Sequence, residues 1–177
     1  MFFRTIFHLL RSRTRSVLGA HDVAVLPLRV LPSDLDVLGH MNNGVYLSIM
    51  DLGRMDLMIR CGLWPQLRAR GWYPVMASAT MTFRKSLEPW QRFDLETRIV
   101  GYDEKAIYAE QRFVVGGEIY ARGIGKARFL KKGGTVSLAE LTELAGTESF
   151  PPPAWVLAWS EGGALPSTRD PAPSDWA

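Results

Sequence analysis

The stretch of the chain that decides the fold is Ser33-Asp34-Leu35-Asp36-Val37-Leu38-Gly39-His40-Met41-Asn42-Asn43-Gly44-Val45-Tyr46, and an apolar run follows it to about Cys61. Its first part is rich in Asp, Asn and Gly, which predicts a loop. The Asn42-Asn43-Gly44 segment offers side-chain oxygens to cap a helix that begins near Val45. This helix is apolar almost all round, a pattern typical of a helix buried inside a fold, and Gly62 ends it.

Strand-forming runs lie on both sides of this helix. One extends from Val23 to Val30, and four more follow the helix at about residues 75–86, 92–102, 106–115 and 118–130. Gly116-Gly117 favours a tight turn between the last two. A run of antiparallel strands can bury a single helix only if the sheet curls around it. We therefore predict an α+β hotdog fold, in which a curled antiparallel sheet wraps around one long buried helix.

The ends of the chain differ in composition from its middle. We divide the sequence into a basic amphipathic N-terminal segment (1–21), one domain (22–150) and a Pro-rich tail (151–177). A short helix is expected from Leu138 to Leu144, before the three prolines that start the tail. Within the tail, Trp155, Val156, Leu157 and Trp159 could dock on the domain.

The N-terminal segment combines apolar and basic side chains. At helical spacing it carries Phe3, Ile6, Phe7 and Leu10, interspersed with Arg4, Arg11, Arg13 and Arg15. A secretory signal is not expected, because Arg4 and His8 interrupt the apolar part, and the run is too short to span a membrane. An amphipathic helix remains, which either packs on its own domain or lies on an anionic membrane surface. We favour packing and keep peripheral membrane contact as the alternative.

Length, amino-acid composition and net charge limit the classes of protein to which the chain could belong. With 177 residues, 47% of them hydrophobic, the chain is long enough for one domain with a substantial core. The net charge is +3, and outside the N-terminal segment the basic residues are spread among acidic ones, so we expect a small-molecule site and no nucleic-acid partner. The single cysteine, Cys61, cannot form an intrachain disulfide or a thiol pair for a metal. We expect a cytoplasmic protein, with peripheral contact at the inner membrane face as the alternative.

The spacing Asp34-x-Asp36-x-x-Gly39-His40-Met41-Asn42-Asn43-x-x-Tyr46 resembles the signature of hotdog thioesterases related to 4-hydroxybenzoyl-CoA thioesterase. The same stretch is similar to plant acyl-ACP thioesterases. With the order of helix and strands, the resemblance extends over roughly residues 22 to 132. It implies hydrolysis of an acyl-CoA or acyl-ACP thioester without a cofactor or metal. It also implies a homodimer or a tetramer of dimers whose active site lies at the subunit interface.

The resemblance assigns catalytic roles within the loop. Asp36 takes the position of the catalytic carboxylate, the backbone amide near Asn43 polarises the thioester carbonyl, and His40 is auxiliary. The plant enzymes carry an Asn two residues after the Asp, where this chain has Leu38. Whether Asp36 attacks the thioester carbon or activates a water stays open, because an ionised carboxylate suits either role. A non-catalytic acyl-thioester-binding or scaffold protein is the alternative function.

Further residues are candidates for substrate binding. Those in or beside the loop are Asp34, Gly39, Asn42 and Tyr46, of which Asp34 could instead support the loop. Asp51 lies on the helix face of Asn43 and could be a second acid, although an ion pair with Arg54 at i,i+3 is the favoured interpretation. Arg84 and Lys85 could supply a basic rim for the phosphates of CoA, or be solvated surface charges.

Overall fold

The computed structural model describes residues 2–167 and 170–174, with side chains from Arg4 onward. The helices are α1 (Phe2–Ser12), α2 (Asn43–Arg60), α3 (Leu63–Ala69), α4 (Leu138–Ala145) and α5 (Ala154–Gly162). The strands are β1 (Ala24–Arg29), β2 (Tyr73–Phe83), β3 (Arg92–Tyr102), β4 (Ile107–Val115), β5 (Glu118–Lys131) and β6 (Gly134–Thr135). No helix among the described residues is long and apolar enough to cross a bilayer.

All strand pairs are antiparallel, and the sheet order is β1-β3-β4-β5-β2, with the short β6 paired to the end of β5. The sheet curls around α2, so the predicted hotdog fold is confirmed. Gly116 and Gly117 both have positive φ (57° and 83°), as the predicted tight turn between β4 and β5 requires. The main core lies between α2 and the sheet; its side chains include Leu26, Tyr46, Ile49, Met50, Leu95 and Phe113.

Gly53 lets α2 approach the sheet closely. A Cβ at this position would lie 2.5 Å from Thr97 Oγ1 and 2.6 Å from Gln111 Nε2. Gln111 is fully buried and donates hydrogen bonds to the Met50 carbonyl oxygen (2.8 Å) and to Thr97 Oγ1 (3.0 Å). The helix and the middle of the sheet are thus joined by a buried polar bridge that a larger residue at 53 would displace.

Two segments outside the predicted domain belong to its body. Helix α5 packs on the sheet through Val156, which is fully buried against Ala106, Tyr108 and Ile124, so the predicted docking of this part of the tail is confirmed. The body therefore extends past the boundary that we placed at residue 150. Tail residues 168–169 and 175–177 lie outside the described residues.

Helix α1 also packs on the body, against α2, but through its polar side. Arg4, Ser12 and Arg15 make hydrogen bonds and ion pairs to Asp34 and Asp56. The apolar side chains that we expected to face the domain, Ile6, Phe7 and Leu10, are exposed. The predicted packing is therefore correct, but the predicted face is wrong, because two buried carboxylates require basic and hydroxyl partners from this helix. The side chain of Phe3 lies outside the described residues.

Candidate active site

The loop before α2 is anchored by Asp34. This residue ends a single 3₁₀ turn (Pro32–Asp34) and is only 2% exposed. Its Oδ2 accepts hydrogen bonds from Arg4 Nη1 (2.6 Å) and from the Leu31 amide (2.9 Å), and its carbonyl oxygen accepts one from the Asn42 amide (2.8 Å). A carboxylate enclosed in this way is not placed to contact substrate. The geometry favours the supporting role for Asp34 rather than the substrate-binding one.

Asp36 begins a tight chain reversal. Its amide donates to the His40 carbonyl oxygen (2.8 Å), and its own carbonyl oxygen accepts from the Gly39 amide (3.1 Å). Gly39 has φ of 81°, a left-handed conformation that favours glycine, so its part in the loop is conformational. Asp36 Oδ1 accepts from the Leu38 amide (2.9 Å) and the His40 amide (3.3 Å). No hydrogen bond to Oδ2 is present within the described ranges, so one carboxylate oxygen is held and the other is free.

The start of α2 lies beside this carboxylate. Asn42 caps the helix, because its side-chain oxygen accepts from the Gly44 amide (2.8 Å). Asn43 is the first helical residue, and in the part of the chain that the structure describes its backbone N–H has no hydrogen-bond partner. A free N–H at a helix N-terminus favours binding of negative charge. Asn42 therefore has a capping role, and Asn43 offers the donor.

Asp36 and Asn43 line one open cleft of about 380 Å³. Its other lining residues are Leu38, His40, Met41, Tyr46, Phe83, Arg84, Lys85 and Ser86. The sequence predicted His40, Tyr46, Arg84 and Lys85 as site residues, and the structure brings them together here. The sequence did not predict Phe83, the last residue of β2, or Ser86 just beyond it, because only the fold brings the end of that strand to the loop.

His40 and Tyr46 occupy different environments in this cleft. The His40 side chain is partly exposed and lies 3.6 Å from a Glu88 carboxylate oxygen, while only its backbone contacts Asp36. Tyr46 is buried, packs against Phe83, and its hydroxyl accepts from the Leu87 amide (3.3 Å). Burial raises the pKa of Tyr46, so this hydroxyl stays protonated at neutral pH. Tyr46 forms the floor of the cleft rather than one of its polar groups.

Arg84 and Lys85 are exposed at the rim, and both bind Glu118 on β5 (2.5 and 2.7 Å). Hydrogen bonds from Lys85 and Arg84 lower the pKa of Glu118. One carboxylate thus faces two cations, which leaves net positive charge at the rim. Exposed cations of this kind remain available to an anionic ligand.

Asp51 is not part of the cleft. Eight residues beyond Asn43, it lies about 12 Å further along the helix. Its side chain is 71% exposed and forms the i,i+3 ion pair with Arg54 that we favoured, so that interpretation is confirmed. Arg54 also donates to Gln111 Oε1 (2.7 Å). The suggestion of a second acid near Asp36 does not hold within a single chain, because Asp36 lies in the loop before α2 whereas Asp51 lies well inside the helix.

Asp51 and Arg54 instead line an apolar cavity of about 160 Å³ between the C-terminal half of α2, the sheet and α4. Its apolar lining includes Met55, Met58, Met76, Ile99, Ala127 and Phe129. Cys61 is among the lining residues, and burial raises the pKa of its thiol, which fits the packing role expected for it.

Comparison with known proteins identifies the family. The sequence profile of the Thioesterase-like superfamily matches residues 30–160, which is most of the chain. The chain belongs to this superfamily. The matched region begins just before the Asp36 loop and ends within α5, so it contains every residue that lines the cleft, α2 and strands β2 to β6.

Individual relatives within the superfamily cover less of the chain. Protein THEM6 of Xenopus laevis is 46% identical over 85 residues, which are 48% of this chain and 41% of that protein. A probable thioesterase of Saccharomyces cerevisiae is 28% identical over 98 residues, 55% of this chain and 43% of that protein. The chain thus spans about two fifths of these relatives.

A solved structure shares the fold over most of its length. It is a mutant 4-hydroxybenzoyl-CoA thioesterase in complex with 4-hydroxybenzoyl-CoA, with a TM-score of 0.61 and 19% identity. The match covers 70% of this chain and 98% of that one. At 19% identity this similarity shows the fold alone, and the chemistry depends on the residues of this chain.

Proposed function

We propose that this protein hydrolyses acyl-CoA thioesters, with Asp36 as the catalytic carboxylate. The observation that carries the proposal is one cleft that combines the Asp36 carboxylate, the unpaired N–H of Asn43 and the basic rim of Arg84 and Lys85. These three features match the three needs of thioester hydrolysis: a base or nucleophile, an oxyanion donor and an anchor for a phosphorylated carrier.

The reaction uses the free side of the Asp36 carboxylate. As a general base, Asp36 takes a proton from a water whose oxygen bonds to the thioester carbon. As a nucleophile, it forms a mixed anhydride that water then hydrolyses. In both routes the carbonyl oxygen becomes an oxyanion, which accepts the Asn43 N–H bond. Collapse of the oxyanion breaks the C–S bond, which gives the free acid directly in the general-base route and the mixed anhydride in the nucleophilic route. The thiolate takes up the proton that the water releases, and the acid and the thiol leave.

The rim favours CoA, or the phosphopantetheine arm of an acyl carrier protein, as the leaving group. Both carry phosphate, and Arg84 and Lys85 provide a guanidinium and an ammonium at half-exposed positions. A 4-hydroxybenzoyl-CoA thioesterase is among the proteins with this fold, which supports CoA as the first carrier to test.

We further propose that the protein is a homodimer joined through β2. This eleven-residue strand is at the edge of the sheet, and its exposed side chains include Tyr73, Met76 and Phe83. A long apolar edge strand favours pairing with another strand. Helix α5 already covers part of the outer sheet face, so edge pairing is favoured over stacking of sheets.

Dimerisation of this kind would bring the two sites on α2 together. If two β2 strands pair antiparallel about a two-fold axis near Ser78, Phe83 in the cleft of one copy lies opposite Tyr73 of the other. Tyr73 directly precedes Pro74, Val75 and Met76, which line the apolar cavity. An acyl chain whose thioester is bound in the cleft of one copy could then extend into the apolar cavity of the other copy. Light scattering that shows a fully active monomer would exclude this arrangement.

The decisive experiment compares two aspartates at different places on the fold: Asp36, which lines the cleft, and Asp51, which lies outside it. Asp36→Asn keeps the size of the side chain and removes its charge, so kcat should fall about a hundredfold to ten-thousandfold. Asp51→Asn is the matched control and should retain turnover within a few-fold. Steady-state kinetics on a panel of acyl-CoA thioesters, with thermal melts to confirm folding, make the measurement.

A folded Asp36→Asn variant with parental turnover would refute the assigned mechanism. If the parental chain itself binds acyl-CoA but hydrolyses no thioester in the panel, the non-catalytic acyl-binding function replaces the hydrolase. Single-turnover hydrolysis in ¹⁸O-labelled water tests the nucleophilic route: when water attacks the carboxyl carbon of Asp36 in the anhydride, the product stays unlabelled and Asp36 takes up the ¹⁸O. The general-base route labels the product and leaves Asp36 unlabelled.

A further inference from the structure

Helix α1 is attached to the body by its polar stripe. Arg4, His8, Ser12 and Arg15 follow one another at helical spacing on the side that faces the domain. Ser12 Oγ donates to Asp56 Oδ1 (2.6 Å), and Arg15 Nη1 donates to the same oxygen (2.9 Å). Asp56 is 1% exposed, and it also binds Arg60. Because these partners are buried, the orientation of the helix on the body is well determined.

The opposite side of α1 is apolar and faces outward. Ile6, Phe7 and Leu10 are 42%, 55% and 58% exposed. These three residues lie on one helix face, away from the stripe that binds Asp34 and Asp56. A helix that uses its polar side for packing and leaves a contiguous apolar side exposed indicates an external contact surface.

Unpaired arginines surround this apolar side. Arg11 on α1 and Arg13 just after it are exposed, and Arg29 on β1 lies directly opposite Arg92 on β3 in the strand register. Among the described residues none of the four has an ion-pair partner. Like charges directly opposite each other on a sheet are destabilising unless an anion lies near them.

An open groove of about 1120 Å³ connects the helix to these strands. Phe7 and Arg11 line one side of it, Arg29 and Arg92 line the other, and Asp94 is the single carboxylate among its lining residues. Apolar and cationic groups therefore form one continuous surface. We call Ile6, Phe7, Leu10, Arg11, Arg13, Arg29 and Arg92 the docking face.

We propose that the docking face binds the surface of a membrane that contains anionic phospholipid. Helix α1 lies in the interface, with Ile6, Phe7 and Leu10 at the boundary of headgroups and acyl chains. The arginines bind lipid phosphates, and the groove receives headgroups beside Arg29 and Arg92. A second copy of this chain is a poorer partner, because pairing two docking faces would bring eight unpaired arginines together.

The test uses the full chain and two kinds of vesicle, one of pure phosphatidylcholine and one of equimolar phosphatidylcholine and phosphatidylglycerol. Co-sedimentation should occur with the anionic vesicles, be weak with phosphatidylcholine, and decrease as salt screens the charges. Arg29→Gln with Arg92→Gln should lower the partition coefficient at least about tenfold. The matched control, Arg68→Gln with Arg128→Gln, removes the same charge from exposed positions outside the face and should change it less than about twofold.

A second double variant tests the apolar part. Phe7→Ser with Leu10→Ser should also reduce binding about tenfold or more, without lowering the melting temperature by more than a few degrees, since both side chains are exposed. Equal binding to both vesicle types, or equal loss in the two arginine pairs, would overturn the proposal. So would light scattering in which Phe7→Ser with Leu10→Ser changes the oligomeric state, because the face would then be a contact between copies.

Discussion

At its N-terminal end, helix α2 meets a polar loop, while its C-terminal half borders an apolar cavity. The loop is fixed by hydrogen bonds that end on the buried carboxylate of Asp34. Around the cavity, flexible methionine side chains line the space and Asp51 is exposed at its edge. One helix thus presents a rigid polar site and an adaptable apolar one.

Asp34 at the loop and Asp51 at the cavity show that the same residue type can have different roles in the two regions. Asp34 is enclosed, and the Arg4 guanidinium compensates its charge, so removing either partner leaves a buried charge alone. Asp51 is mostly exposed, and its partner Arg54, which is largely buried, also donates to Gln111, so the charge of Arg54 does not depend on Asp51 alone. The rigid loop can hold a carboxylate in the fixed position that a reaction needs. The flexible lining of the cavity can accommodate acyl groups of different shape.

The largest expected effect on stability comes from the enclosed carboxylate. Asp34→Asn should lower the free energy of unfolding by about 3 kcal/mol, because Arg4 is then buried without a counter-charge. Asp51→Asn should cost less, about 1 kcal/mol, because Asp51 is exposed and Arg54 keeps its hydrogen bond to Gln111. Urea unfolding of both variants makes the comparison. Equal losses would mean that the two carboxylates do not differ as their burial indicates.

A smaller loss is expected at Gly53, which lies between the two regions. Gly53→Ala places a Cβ within 2.6 Å of Leu95 and of the buried Gln111 side chain, so α2 must move away from the sheet. We expect a loss of about 2 kcal/mol. Gly162→Ala, in open space on α5, is the control and should be close to neutral. Thermal or urea unfolding would report both.

The cavity region can be tested through substrate selectivity. Ala127→Leu adds bulk to the cavity lining and should lower kcat/KM for long acyl-CoA thioesters about tenfold. Turnover of acetyl-CoA, which does not reach the cavity, should be unchanged. Uniform effects on short and long substrates would show that the acyl group lies elsewhere, while leaving the role of Asp36 untouched.

The smallest expected effect is on the pH dependence of the free energy of unfolding, through His8 on α1. Burial, with Arg15, Arg4 and Arg11, lowers the pKa of His8 to about 4. The unfolded chain therefore binds a proton as the pH falls below about 6.5, whereas the folded chain does not until about 4. Stability should fall across this window by less than about 1 kcal/mol, since His8 is partly solvated.

A His8→Gln variant should lose this part of the pH dependence in urea unfolding between neutral and mildly acidic pH. An identical slope in the parental chain and the variant would show that other groups carry the acid sensitivity. Gln keeps a polar side chain of similar length, so the comparison removes the titration with little change in packing.

Local patterns predicted the strands, α2 and the loop well, and the exceptions have physical reasons. Helix α3 (Leu63–Ala69) lies between α2 and β2, where the sequence analysis predicted no helix. Proline in the first turn of a helix costs no internal hydrogen bond, so Pro65 is compatible with α3. The Arg54 pair was predictable because its partner is three residues away, whereas the Glu118 partner of Arg84 and Lys85 was not.

By itself, the sequence determined the strands and the one buried helix in chain order, the Asp36 loop and the cap at Asn42, because spacing and turn chemistry act over a few residues, whereas the pairing of β2 with β5 was decided by the fold. Only the tertiary structure decided which carboxylates are buried and which side of α1 faces out. Asp34 is paired across 30 residues with Arg4, and Asp56 across 41 residues with Arg15. Such pairs form because burying a charge requires a compensating group, and only the folded chain brings that group near.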